Sequence, residues 1–375
     1  MRAEARLFYA LTCATMAGRC LVYLYIRRPL YTSAKRTCPT ACVPARWLER
    51  CGRRAAFLPL LAVMLVTFAV AALHADLLAA RLAAALTHTA FSMGCAYALE
   101  WGHGQYPVLW TAWALALLPA EPAAAAARGA AAYLYVCAGL AKLSVPASPS
   151  EYLDPRTMRA HMSSDGENPR FDVLCPPLGR LFIRSPTMLR VVVWGTLGLE
   201  LIGVPATFVL PLHARAVLAL LCVAFHVGIA LVFSATAGTM FLQLSGVYAL
   251  GLCGPEVEVG SAGWVLAAVL AAAPAARFAL AGDPYVASER WPLTNCALFP
   301  WSARQIHFVE AHLGARASTR LVLATRRPGE SELIGAAVSA RGGPVPPRSA
   351  EALMVHNAYG NVWNWTKVRR ACMYE

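Results

Sequence analysis

The chain has 375 residues and a net charge of +13, with 58% hydrophobic and 14% charged side chains. A soluble domain is about a quarter charged, so this balance, with a mean hydropathy of +0.50, excludes the soluble class and indicates a polytopic membrane protein. The basic excess then reads as an orientation signal carried by loops, not as a nucleic-acid surface.

Residues 7–26 are apolar but carry Arg19, and no small-residue cleavage site follows them cleanly, so they read as a marginal first membrane segment. Further apolar segments are predicted at 55–75, 79–100, 106–120, 123–143, 189–210, 214–236, 238–254 and 261–281. A bilayer core takes about 20 apolar residues per helix, so some of these are short or tilted. The pattern predicts an all-α integral membrane bundle of about eight or nine transmembrane helices. The expected organisation is an N-terminal segment over 1–54, a transmembrane domain over 55–281 and an extramembrane tail over 282–375. Within the tail, "STRLVLAT" followed by "PGESELIGAAVSA" has the period-two alternation of a small β-hairpin.

Of the 33 Lys and Arg residues, 25 fall in 27–54, 144–190 and 282–375, which this segmentation places on one face of the membrane. The positive-inside tendency makes that face cytoplasmic. "NWT" at 364–366 is the N-x-S/T sequon, so glycosylation of Asn364 in a eukaryotic host would instead place the tail in the lumen. The twelve cysteines are scattered with no Cys/His cluster at metal-ligand spacing, and most read as small hydrophobes. No metal site is expected.

Ionisable groups inside apolar segments carry the functional information, because each needs a partner or a task in the bilayer. "CAGLAKLS" (137–144) places Lys142 near the end of an alanine-rich helix, and "EWGHGQY" (100–106) places Glu100 and His103 between two segments. "WGTLGLELIG" (194–203) buries Glu200 among leucines and glycines, and "FHVGIALVFS" (225–234) carries His226 with Ser234 on roughly the same face. Plain structural readings stand beside the functional ones. Lys142 could snorkel to the interface, His103 could be solvated at a helix boundary, His226 could bond a neighbouring carbonyl, and Glu200 could serve only as an ion-pair partner. Chemically, a desolvated lysine can act as a neutral base towards a weakly acidic hydroxyl such as a phenol or hydroquinone, with a histidine relaying a proton or holding an oxyanion. The residues equally allow the ionisable pathway of a proton-coupled transporter, and composition does not choose between the two.

These motifs resemble those of vitamin K-dependent gamma-carboxylases and the wider horizontally transferred transmembrane (HTTM) family. "AGLAKL" (138–143) is similar to A-G-V-K-K-L, and "WGTLGLEL" (194–201) to W-G-x-L-x-L-D-L with Glu200 in place of the aspartate. "FHVGIALVFS" followed by "GTMF" (238–241) resembles F-H-x-x-x-x-x-x-F-S and its Gly-Met-Phe-like step. "EWGHGQYPVLW" (100–110) resembles W-N-N-H-S-Y-L with a one-residue slip at His103, and "WPLTNCALFPW" (291–301) resembles W-P-F-S-x-x-P-M-F. The order is the same, and the resemblance covers 100–254 well and 291–301 weakly. Where the carboxylases continue after their lysine with L-D-A-D-W, this chain reads "LSVPASP".

The resemblance implies a membrane-embedded lyase in which Lys142 deprotonates vitamin K hydroquinone or a related quinol. O2 and CO2 would be co-substrates and a glutamate-containing protein or peptide the carboxylated partner. It implies an active-site role for His103 and supporting roles for Glu200, His226, Ser234 and Glu100. The partner shared by every reading is membrane lipid, in the endoplasmic reticulum or another endomembrane for a eukaryotic chain and in the cell membrane for a bacterial one. The alternatives are a quinone- or lipid-binding protein without turnover, and the transporter.

Overall fold

The computed structural model describes residues 2–26, 30–31, 45–97, 104–143, 153 and 174–254. Among them the regular structure is entirely helical. In chain order the helices are α1 (Arg2–Tyr25), α2 (Ala45–Gly52), α3 (Arg54–Leu73), α4 (Leu78–Tyr97), α5 (Gln105–Leu117), α6 (Ala120–Leu143), α7 (Pro176–Arg184), α8 (Pro186–Gly198), α9 (Leu212–Val232), α10 (Ala235–Leu242) and α11 (Ser245–Gly251). α8 runs on through a π turn, Leu199–Gly203, and one more α turn, Val204–Ala206.

Among the described residues, five helical stretches are long and apolar enough to cross a bilayer: Ala3–Tyr25, Arg54–Leu73, Ala120–Leu140, Pro186–Ala206 and Leu212–Val232. Their outward faces agree. Val63, Val66, Val70 and Leu73 on α3, Val191 and Trp194 on α8, and Val217 and Leu220 on α9 are all exposed. Such apolar faces need lipid or another protein to cover them. Most predicted segments appear with shifted ends. The segment expected at 238–254 is instead two short helices, because the chain turns at Gln243 and Leu244 between α10 and α11. The predicted span at 261–281, the tail hairpin, the "WPLTNCALFPW" element and Asn364 lie outside the described residues.

α6 is the central helix. Of its most apolar stretch, 78% is buried inside the protein, against 28–33% for the other four crossing helices. Its sequence explains this. Alanine is the strongest helix former and has no side-chain entropy to lose, and Ala123, Ala124, Ala127, Ala130, Ala131 and Ala132 let neighbouring helices approach closely. α5 and α11 pack along it, and α1 packs on α3 and α11. A run of edge-on and tilted rings, Tyr9 on Phe68, Phe68 on His88 and His88 on Phe91, knits α1, α3 and α4 together. A second cluster, Leu189, Val193 and Leu197 of α8 against Val232 and Phe233, joins α8 to the end of α9. The candidate site residues Lys142, Glu200 and His226 lie where this second cluster meets α6.

Candidate functional site

Tyr135, Ala138 and Lys142 follow one another at i, i+3 and i+7 on α6 and therefore share a face. Val192, Thr196 and Glu200, at i, i+4 and i+8, share a face of α8, and Phe225, Ile229 and Val232 share one of α9. The three faces enclose a cavity of about 270 Å³ whose wall is almost entirely apolar. Its few polar groups belong to Lys142, Glu200, His226, Tyr135 and Thr196.

Lys142 does not snorkel. It is 1% exposed, and its Nζ donates to Glu200 Oε1 at 2.6 Å and Oε2 at 2.8 Å, and to the Ala138 carbonyl at 3.4 Å. Glu200 is 4% exposed. Two features of the backbone bring these charges together. Glu200 stands in the π turn, where the Val204 N–H reaches back five residues to the Leu199 carbonyl. Val204 separates the last residue of the turn, Gly203, from Pro205, which has no N–H to give and whose ring crowds the Leu201 carbonyl four residues back. On the facing helix, Gly139 leaves room for this wide turn. A Cβ there would lie 2.6 Å from Leu201 Cδ2 and 3.3 Å from Glu200 Cβ, so any larger residue would have to displace the Leu201 side chain and press on Glu200.

Deeper in the wall, His226 Nε2 lies 2.8 Å from Tyr135 Oη and 3.2 Å from Tyr248 Oη, and the two hydroxyls are 2.8 Å apart. Its ring stacks on Phe241 at 5.1 Å, and its Nδ1 is buried without a hydrogen-bond partner. Close approach of α10 fixes this ring. A Cβ on Gly238 would lie 2.6 Å from the His226 carbonyl oxygen.

The structure thus brings together Lys142, Glu200 and His226 from three separate helices. Ser234 is not on the His226 helix face. α9 ends at Val232, and Ser234 caps α10 by accepting from the Ala237 N–H at 3.1 Å. Glu100 and His103 lie outside the described residues. Sequence reasoning missed Tyr135 and Tyr248. The helical spacing of Tyr135 from Lys142 was the available signal for the first, and nothing local marks the second.

Comparison with known proteins adds no relative: no family model, no curated protein and no solved structure matches the chain.

Proposed function

We propose that this chain is a membrane-embedded, quinol-oxidising carboxylase-like enzyme in which Lys142 is the base. The observation that carries the reading is the Lys142–Glu200 pair set into the wall of an apolar cavity between crossing helices. The resemblance of the ordered motifs to those of the vitamin K-dependent gamma-carboxylases supports it, as does the fit of the cavity. Its volume is near the lower end of the roughly 300–1,000 Å³ of small-ligand pockets, and it offers flat apolar walls with a polar edge. Those are the needs of a bicyclic quinol delivered from lipid.

The chemistry arises from desolvation. A buried ion pair loses much of its Coulomb gain to the removal of water. One proton passing along the 2.6 Å hydrogen bond from Nζ to Oε1 leaves a neutral amine beside a neutral carboxylic acid. The amine takes the phenolic proton of the quinol, and the carboxyl group re-pairs with the ammonium that forms. Tyr135 and Tyr248 hold the His226 ring at the cavity wall, where its buried Nδ1 has no hydrogen-bond partner. A quinol bound there would supply the reducing equivalents: quinol and O2 would give epoxide and water, the oxygen-derived base would take the glutamyl Cγ proton as CO2 adds at that carbon, and one proton would be released overall. In this reading the bundle has eight or nine crossings with a C-terminal tail, in an endomembrane or a cell membrane.

The test is anaerobic purification in detergent, followed by reduced vitamin K, oxygen and labelled bicarbonate with a glutamyl peptide. Epoxide formed by the wild type and lost in Lys142→Ala supports quinol chemistry, and label fixed on the peptide supports the carboxylase. A folded wild type that forms no epoxide, or a Lys142→Ala variant that still does, overturns the reading.

A further inference from the structure

A second group of buried charges lies on α6 and α9, towards their N-termini. Arg128 of α6 is 4% exposed and Arg215 of α9 is 2% exposed. Arg128 Nε donates to the Gly251 carbonyl at 2.8 Å, at the end of α11, and its guanidinium carbon stands 6.0 Å from the centre of the Phe208 ring. Arg128 Nη2 and Arg215 Nε are buried without hydrogen-bond partners. Both α6 and α9 pack against α11. Among the described residues no carboxylate pairs with either arginine.

Burying one unpaired charge is already costly, and burying a second of the same sign on a helix packed against the same neighbour adds to that cost. Arginine cannot escape the cost by losing its proton. An anion between the two would remove the penalty, and a guanidinium fork suits the oxygens of a phosphate. The position agrees with this. Tyr135 and His226 tie α6 to α9, and helical rise puts Arg128 roughly 10 Å and Arg215 roughly 16 Å from that contact. Arg215 is in the first turn of α9, which starts at Leu212, so the cluster approaches the membrane face opposite the Lys142 end of α6. Phospholipid phosphates lie near that level.

We infer that Arg128 and Arg215 form a binding site for a phosphate-bearing anion, separate from the Lys142 cavity. The source is either a lipid headgroup or a free phosphorylated compound. The full chain in a sugar-headgroup detergent is unfolded thermally with short-chain phosphatidic acid, with inorganic phosphate, or with a neutral glycolipid of matched chain length. The expected result is a rise of about 5 °C in wild-type Tm at a hundredfold excess over Kd, lost in Arg128→Gln and Arg215→Gln and absent with the glycolipid. A rise with phosphatidic acid alone identifies a headgroup site, and a rise with inorganic phosphate as well identifies a site open to free phosphates. If Arg128→Gln does not fold, Arg215→Lys decides the matter, since it keeps the charge, loses the fork, and is expected to weaken binding at least tenfold. No rise with either phosphate probe, an equal rise with the glycolipid, or an undiminished rise in the Arg215 variants overturns the inference.

Discussion

Lys142 and Glu200 are far apart in sequence, yet the lysine Nζ lies between both carboxylate oxygens at 2.6 and 2.8 Å, with neither side chain more than 5% exposed. Removing one member strands the other charge. Lys142→Met alone or Glu200→Leu alone is expected to cost about 3–5 kcal/mol. The double variant, with two apolar side chains facing each other, is expected to recover most of that stability while remaining inactive. Thermal unfolding of the four proteins in one detergent checks this, and additive losses in the double variant would contradict a direct pair.

Gly139 of α6 packs against the Leu201 and Glu200 side chains of the π turn. Gly139→Val is expected to destabilise by about 1–3 kcal/mol, as overpacked sites do, and to lower quinol turnover more than Gly139→Ala. The comparison uses Tm together with epoxide yield. Wild-type turnover in the valine variant would show that the pair tolerates separation.

Gly228 is a position where the proposed activity and stability should move in opposite directions. It lines the cavity, and a Cβ added there meets nothing within 4 Å. Gly228→Leu should raise Tm, because glycine inside a helix costs about 1 kcal/mol relative to alanine and the new side chain fills apolar space. The same change should exclude a bulky quinol. The expected signature is a more stable protein with a higher KM or no turnover, read by unfolding and steady-state epoxidation on one preparation.

The hydrogen-bonded trio of Tyr135, Tyr248 and His226 is unequal in its contacts. Tyr135 Oη reaches both partners at 2.8 Å, whereas Tyr248 Oη reaches the histidine at 3.2 Å. Tyr135→Phe is therefore expected to cost about 1–3 kcal/mol, more than Tyr248→Phe. A double-mutant cycle should show coupling of roughly 0.5 kcal/mol or more, and zero coupling would mean the hydroxyls act independently.

Lys142, Glu200 and His226 were legible in the sequence because an ionisable side chain amid leucines and glycines is anomalous in a membrane segment. That Lys142 and Glu200 meet was among the options the residues allowed, and Gly139 in "AGLAKL" is the small residue that permits it. The two tyrosines were not legible, since a tyrosine in an apolar helix breaks no pattern. The arginine pair was passed over for a related reason: Arg128 and Arg215 lie singly in alanine- and valine-rich stretches, and only the packing of α6, α9 and α11 unites them. Ser234 departs from the expected face because helical periodicity does not continue past Val232, where α9 stops. The break between α10 and α11 was hidden by continuous hydrophobicity.

The π turn at Leu199–Gly203 gives one crossing segment two rotational phases. An extra residue in the turn rotates the downstream helix by about 100° relative to an uninterrupted α-helix. Upstream of it, Val192 and Thr196 look into the cavity, while downstream Val204 is buried. Glu200 stands at the point of change. The identity of the side chains around it is therefore less constrained than their number. An exchange of one aliphatic residue for another in this stretch keeps both phases, whereas a one-residue deletion would leave the hydropathy almost unaltered and turn the remainder of the segment away from its neighbours.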